Sequence, residues 1–232
     1  MLLDDGLCTC FDARYHNNKH SHELELHREE QDTSCDAWMQ LLEMIERCVS
    51  DGAEIFDPGA QFKSEDWSKI ITLPPTIANL TRVKTLFLYG SHLVRIPPEI
   101  GDMQGLEVFD VYTSYRLHWL PFEITRCAYL RSSTISTRAL YGNFKFRSPF
   151  PPLPSMACNS PPKQCSVCRS DFGVQGAIQR WISLRVATDV VPLLVHACSQ
   201  HCIDRLPASA PGYVEGPHSG GLGLIQPPRI DF

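Results

Sequence analysis

The sequence predicts an α/β fold: a short solenoid of stacked repeats, with an N-terminal helical cap before it and a small helical, cysteine-bearing module after it. Three observations predict it. A phrase recurs as Leu73-Pro74-Pro75-Thr76-Ile77, Ile96-Pro97-Pro98-Glu99-Ile100 and Leu120-Pro121-Phe122-Glu123-Ile124, at spacings of 23 and 24 residues. An amphipathic run precedes the phrase, and two pairs of cysteines follow it. A fixed period of this size marks units that bury their apolar edges by stacking on one another.

Around the phrase the other apolar positions keep step. Val83, Leu86, Leu88, Leu93 and Ile96 form one register, and Leu106, Phe109, Val111, Leu117 and Leu120 the next. Leu130, Ile135 and Leu140 form a weaker third, with Ser133 at a position where the period expects an apolar side chain. Alternation at Leu86 and Leu88, and at Phe109 and Val111, is the period-2 signal of a strand with one face buried. Pro97 and Pro121 end a strand ladder and begin a turn. The segments Pro75–Leu80 and Pro98–Met103 can each form a helical turn.

These registers resemble the leucine-rich repeat family in its short Leu-Pro variety, over roughly a third of the chain. The resemblance implies a leucine-rich repeat solenoid whose strands line a concave face. Family repeats carry an asparagine that hydrogen-bonds turn backbone, where this chain has Ser91, Ser114 and Arg138. A serine hydroxyl reaches less far and can replace it only in part.

The strand pleat sets the exposed face. With Leu86 and Leu88 inward, Thr85, Phe87 and Tyr89 point outward, followed by Val108, Asp110 and Tyr112, then Ser132, Thr134 and Ser136. Phe87, Tyr89, Asp110 and Tyr112 are the expected partner-binding residues, because exposed aromatics anchor protein interfaces. The alternative is that Phe87 and the tyrosines pack beneath a neighbouring segment.

Composition narrows the function classes. The chain has 232 residues and a net charge of −5, but residues 1–60 hold 14 acidic and 4 basic side chains. No basic run occurs in either part, which argues against nucleic acid as a partner. No apolar run reaches membrane-spanning length, and the start lacks a secretory signal. A cytoplasmic location is expected, and there ten cysteines are thiols or metal ligands rather than disulfides.

The order along the chain follows. Residues 1–33 read as a flexible leader, despite Cys8, Cys10, His16, His20, His22 and His27, whose spacing matches no compact ligand pattern. Residues 34–69 are the helical cap. Within it a helix over 34–50 carries Trp38, Leu41, Leu42, Ile45 and Val49 on one stripe, starts at Ser34 and stops at Gly52. Residues 70–146 hold the repeats. Residues 147–163, with six prolines, read as a stiff linker, or else as a ligand for aromatic-grooved domains.

Residues 164–232 form the cysteine module and tail. Cys165 and Cys168 make a Cys-x-x-Cys pair, and Cys198 and Cys202 lie four apart in a stretch, 189–206, that reads as a helix begun by Thr188 or Asp189 and ended by Pro207. Positions i and i+4 share a helix face, so both thiols would meet the first pair in a tetrahedral, zinc-type site. His196 and His201 are near substitutes as ligands. Ile178, Trp181, Ile182, Leu184 and Val186 make an apolar run that suits helix or strand.

The expected function is non-enzymatic protein binding on the concave face, stabilised by structural zinc. Two alternatives involve cysteine chemistry. Cys202-Ile203-Asp204 is similar to the Cys-x-Asp motif of bacterial effector ubiquitin ligases, and Cys165 with Cys168 could act as a thiol redox switch.

Overall fold

Helix α1 runs Asp36–Asp51 and buries Trp38, Leu41, Met44, Ile45 and Cys48 on one side. The carboxylate of Asp32 accepts from both the N–H and the hydroxyl of Ser34, which fixes the chain entering the helix. Gly52, at φ 61°, ends it in the left-handed conformation. The computed structural model describes residues 26–137, 139–143, 147–153, 162–174 and 176–228. The expectations for Cys8, Cys10, His16, His20 and His22, for Arg138 and for Pro154 lie outside these residues.

After α1 come strand β1 (Ile55–Phe56) and a short helix α2 (Ser64–Trp67). Strands β2 (Thr85–Phe87), β3 (Val108–Val111) and β5 (Ser132–Ile135) follow, and the four strands form a parallel sheet in the order β1-β2-β3-β5. Thr85 lies opposite Val108, and Val108 opposite Ser132, so the spacing of the sequence phrase is the offset between neighbouring strands. The phrases themselves form 3-10 turns at Pro75–Asn79, Pro98–Asp102 and Phe122–Arg126. Each follows an extended proline, whose fixed φ suits the entry. Successive turns approach so closely that a Cβ on Gly101 would stand 2.5 Å from the Glu123 carbonyl oxygen.

The second sheet joins β4 (Leu120–Pro121), β6 (Ile178–Val186) and β7 (Asp189–Ala197) in the order β4-β7-β6. β4 and β7 are parallel, and β6 and β7 form an antiparallel hairpin along their whole length. Helix α3 (Gln200–Asp204) follows directly. Beyond it the chain returns along β6: Trp181 and His218 exchange backbone hydrogen bonds, and Ala210 N–H donates to the Ser183 carbonyl. That covers an edge strand that would otherwise offer unpaired backbone.

The architecture corrects the expected fold class. Among the described residues the chain has three α-helices and two small sheets, one parallel and one mixed, which make a small α/β domain rather than a leucine-rich repeat solenoid. The mixed sheet takes β4 from within the third phrase and is continuous with the same core. One apolar cluster includes Leu41, Leu86, Phe109, Ile182, Leu193 and Cys202. A second gathers Leu26, Trp119, Tyr141, Phe150, Trp181 and Leu194.

The helical reading of 189–206 is overturned as well. Val190, Val191 and Val195 are β-branched, and β7 is buried on both faces from Val191 to Ala197, so apolar residues at consecutive positions suit it. Pro192 stands outside Leu193–Leu194, the stretch over which β7 pairs with β4. Only residues 200–204 are helical. No helix among the described residues is long and apolar enough to cross a membrane.

Candidate metal centre

Two loops bring four cysteines together at one end of the β6–β7 hairpin. The first is a tight turn. Gln164 and Asp171 bridge its ends, Cys165 N–H donates to the Ser170 carbonyl at 2.8 Å, and Arg169 N–H donates to the Cys165 carbonyl at 3.0 Å. Arg169 takes φ 64°, a left-handed conformation that closes the turn at a non-glycine residue. The second loop is the exit from β7. Cys198 follows the last strand residue, and Ser199 is extended and caps α3 by accepting from the Cys202 N–H. Cys202 therefore sits in the first turn of α3, with Cys198 just before the helix.

The sulfur geometry fits a metal. The four Sγ atoms of Cys165, Cys168, Cys198 and Cys202 all lie within 4.8 Å of one another. Cys168 and Cys198 are 3.5 Å apart, and Cys198 and Cys202 are 3.7 Å apart. A tetrahedron of thiolates at the usual zinc–sulfur length of about 2.3 Å has edges of about 3.8 Å. These separations are far longer than a disulfide bond, at about 2.05 Å, and all four residues are free cysteines. Both loops bring together the four cysteines that the spacing grouped, although the second pair arrives from a strand end and a short helix rather than from one long helix.

Surrounding groups hold the sulfurs in place. Cys198 N–H donates to the Cys165 sulfur at 3.3 Å, which ties the two loops together. Ser166, between Cys165 and Cys168, is tied to β7 twice: its N–H donates to the His196 carbonyl, and its hydroxyl accepts from the His196 N–H. Arg126, at the end of the third 3-10 turn, donates to the Ser166 carbonyl at 2.8 Å. Cys165 and Cys202 are buried, Cys198 is half-buried and Cys168 is exposed. As bare thiols the four divide: hydrogen bonding with Ser170 draws Cys168 down to about 6, whereas burial pushes Cys202 up to about 12. A divalent cation removes that conflict, because it favours the thiolate at every position.

Neither predicted substitute belongs to the cluster. His196 places its Nε2 3.0 Å from the Gln179 side-chain nitrogen, and burial lowers its pKa to about 4, which keeps the ring neutral. His201 is exposed. Sequence reasoning missed Ser166, Ser170 and Ser199. Serines flanking each cysteine pair were the available signal, since short hydroxyls bond nearby backbone in turns.

The other predicted residues lie on the parallel sheet. Tyr89 and Tyr112 are 59% and 48% exposed, with ring centroids 6.1 Å apart and planes tilted by 40°. Phe87 and Asp110 are half-buried and opposite one another in the register. Tyr89 and Tyr112 are side by side just beyond the ends of β2 and β3, far along the chain from the cysteines. No protein family and no curated protein matches this chain, so the leucine-rich repeat resemblance has no relative behind it.

Proposed function

We propose that the chain is a non-enzymatic protein-binding domain whose C-terminal hairpin is locked by one structural zinc ion on Cys165, Cys168, Cys198 and Cys202. The convergence of four sulfurs within 4.8 Å carries the metal reading. Zinc is the ion favoured by four thiolates in tetrahedral array, and a four-thiolate site leaves no position open for water. That supports a role in stability rather than hydrolysis. The residues holding the ion would be the four cysteines alone, and its chemistry would be to neutralise them and cross-link two loops. A reducing compartment such as the cytoplasm suits thiolate ligands.

Burial of Cys202, 3% exposed, supports its role as a ligand over that of an alkylatable nucleophile. The interaction reading draws on the outward row of Phe87, Tyr89, Asp110 and Tyr112, where two exposed tyrosines stand just beyond the ends of short, paired strands. Rigid display of this kind lowers the ordering cost of binding.

Metal content per chain, measured on protein purified without added metal together with a count of reactive thiols, tests the site. About one zinc per chain is expected, with four thiols protected until a chelator is added. Replacing Cys198 by serine should abolish stoichiometric zinc. Metal-free folded protein with a reactive Cys202 would overturn the reading and favour cysteine chemistry.

A further inference from the structure

The exposed face of the parallel sheet has a distinctive charge pattern. Its outward positions are Ile55 on β1, Thr85 and Phe87 on β2 with Tyr89 just beyond it, Val108 and Asp110 on β3 with Tyr112 just beyond it, and Ser132 and Thr134 on β5. Asp110 is the single charged side chain within the four strands, while Asp57, directly after β1, accepts from the Ala60 N–H. The ion pairs Lys84–Glu54 and Arg131–Glu107 stand at the strand entries, outside this set.

Asp110 is also oriented. One carboxylate oxygen accepts from the Tyr112 backbone N–H at 2.9 Å, which turns the group toward the tyrosine end of the strand. No ion pair to it occurs among the described residues. Beyond it, backbone pairing continues past β2 and β3, with Leu88 N–H donating to the Asp110 carbonyl and Gly90 N–H to the Tyr112 carbonyl. That ladder fixes Tyr89 beside Tyr112. Two ring faces and a carboxylate are thus presented side by side on rigid backbone.

We propose that this face docks a protein segment through an arginine side chain, stacked on Tyr89 and Tyr112 and paired with Asp110. A guanidinium matches every part of the arrangement. Its planar, weakly hydrated surface stacks on aromatic rings, and its fork of N–H groups donates to a carboxylate. Ile55, Phe87 and Val108 supply the apolar floor on which neighbouring side chains of the segment rest. An acidic segment would meet Asp110 unfavourably, and a purely apolar one would bury that carboxylate without a partner. The proposal rests on the reading of this face as a partner surface and names the partner's chemistry.

The test uses the full chain and two short peptides, identical except for a central arginine or its neutral isostere citrulline between leucines. Binding is followed by the ring resonances of Tyr89 and Tyr112, assigned with Tyr89→Phe and Tyr112→Phe, which keep the rings. The arginine peptide should shift both sets of resonances saturably, and the citrulline peptide should bind roughly tenfold more weakly. Asp110→Asn, which retains an acceptor for the Tyr112 N–H, should erase most of the difference. Equal binding of the two peptides would overturn the arginine proposal and leave a partner surface of apolar character. No shift with either peptide would overturn both the proposal and the reading of this face beneath it.

Discussion

Ser91 and Ser114 show at the scale of single residues how much a register reveals. The period placed them one strand apart, where an asparagine was expected. In the structure the two hydroxyls lie 2.7 Å apart and buried, Ser91 N–H donates to the Ser114 hydroxyl, and that hydroxyl donates to the Leu88 carbonyl. Two short side chains on neighbouring strands thus share the task. Sequence gave their alignment but not their cooperation, which depends on the strand separation. His218 was legible only as a tail residue, yet it stacks edge-on against Phe150, with centroids 4.5 Å apart, and its Nδ1 accepts from the Gly220 N–H. Burial lowers its pKa to about 4. Between that value and the unfolded value of about 6.5, the unfolded chain binds the proton more readily, so stability rises with pH across the window. His218 should therefore contribute fully above about pH 6.5 and lose its contribution as pH falls toward about 4. Thermal melts across that range should show a shallower acid loss for His218→Gln than for the wild type, and parallel curves would exclude His218 as the source.

Among the elements, helix α1 was legible because one stripe of large side chains and a terminal glycine state a helix independently. The β6–β7 hairpin was not. Two-residue hairpin turns usually advertise themselves with glycine or asparagine, whereas this one is Ala187-Thr188, with Ala187 held at φ 51°. What holds the turn is distant in sequence. Thr188 donates its hydroxyl to the Ser133 carbonyl at 2.8 Å, and the Ser133 hydroxyl bonds the Asp189 carboxylate at 2.6 Å. Ser133 is the residue that broke the apolar period of the third register. The lapse in the pattern is the docking point of the hairpin on β5, and a periodicity argument can see only the lapse. Ser133→Val would restore the pattern while removing the shorter of the two hydroxyl contacts to the Asp189 carboxylate, the other being the 3.3 Å contact from Thr188. The expected result is destabilisation by about 1–3 kcal/mol, measured by denaturant unfolding. A variant as stable as the wild type would show that burial of the valine offsets the lost bonds.

The whole molecule has two sheets that meet at the third phrase, and the four-cysteine cluster adjoins that junction through Arg126. Ser166 links the Cys165–Cys168 turn to β7 and to Arg126 in the 3-10 turn, while β4 links the same phrase to β7. Loosening the cysteine loops should therefore reach β7 and then Phe122–Arg126. The parallel sheet and α1 have separate support in Leu41, Ile45, Leu73, Ile77, Leu86 and Phe109, all buried, with α1 packed on the first 3-10 turn. Although one apolar cluster is continuous across both parts, its ends stand on different constraints, and local opening follows the weakest of them. Removing the proposed metal should accordingly act unevenly. Amide hydrogen exchange, compared before and after chelation, should show lost protection first in 165–171 and along β6 and β7, then around Phe122–Arg126, with α1 and β2 the last to exchange. Mutually repelling or partly protonated thiolates open their own loops directly, while the sheet feels them only through Ser166 and the β4–β7 pairing. Uniform loss over all elements would mean that the core transmits the change as one cooperative unit, with the cysteine loops supporting the entire chain.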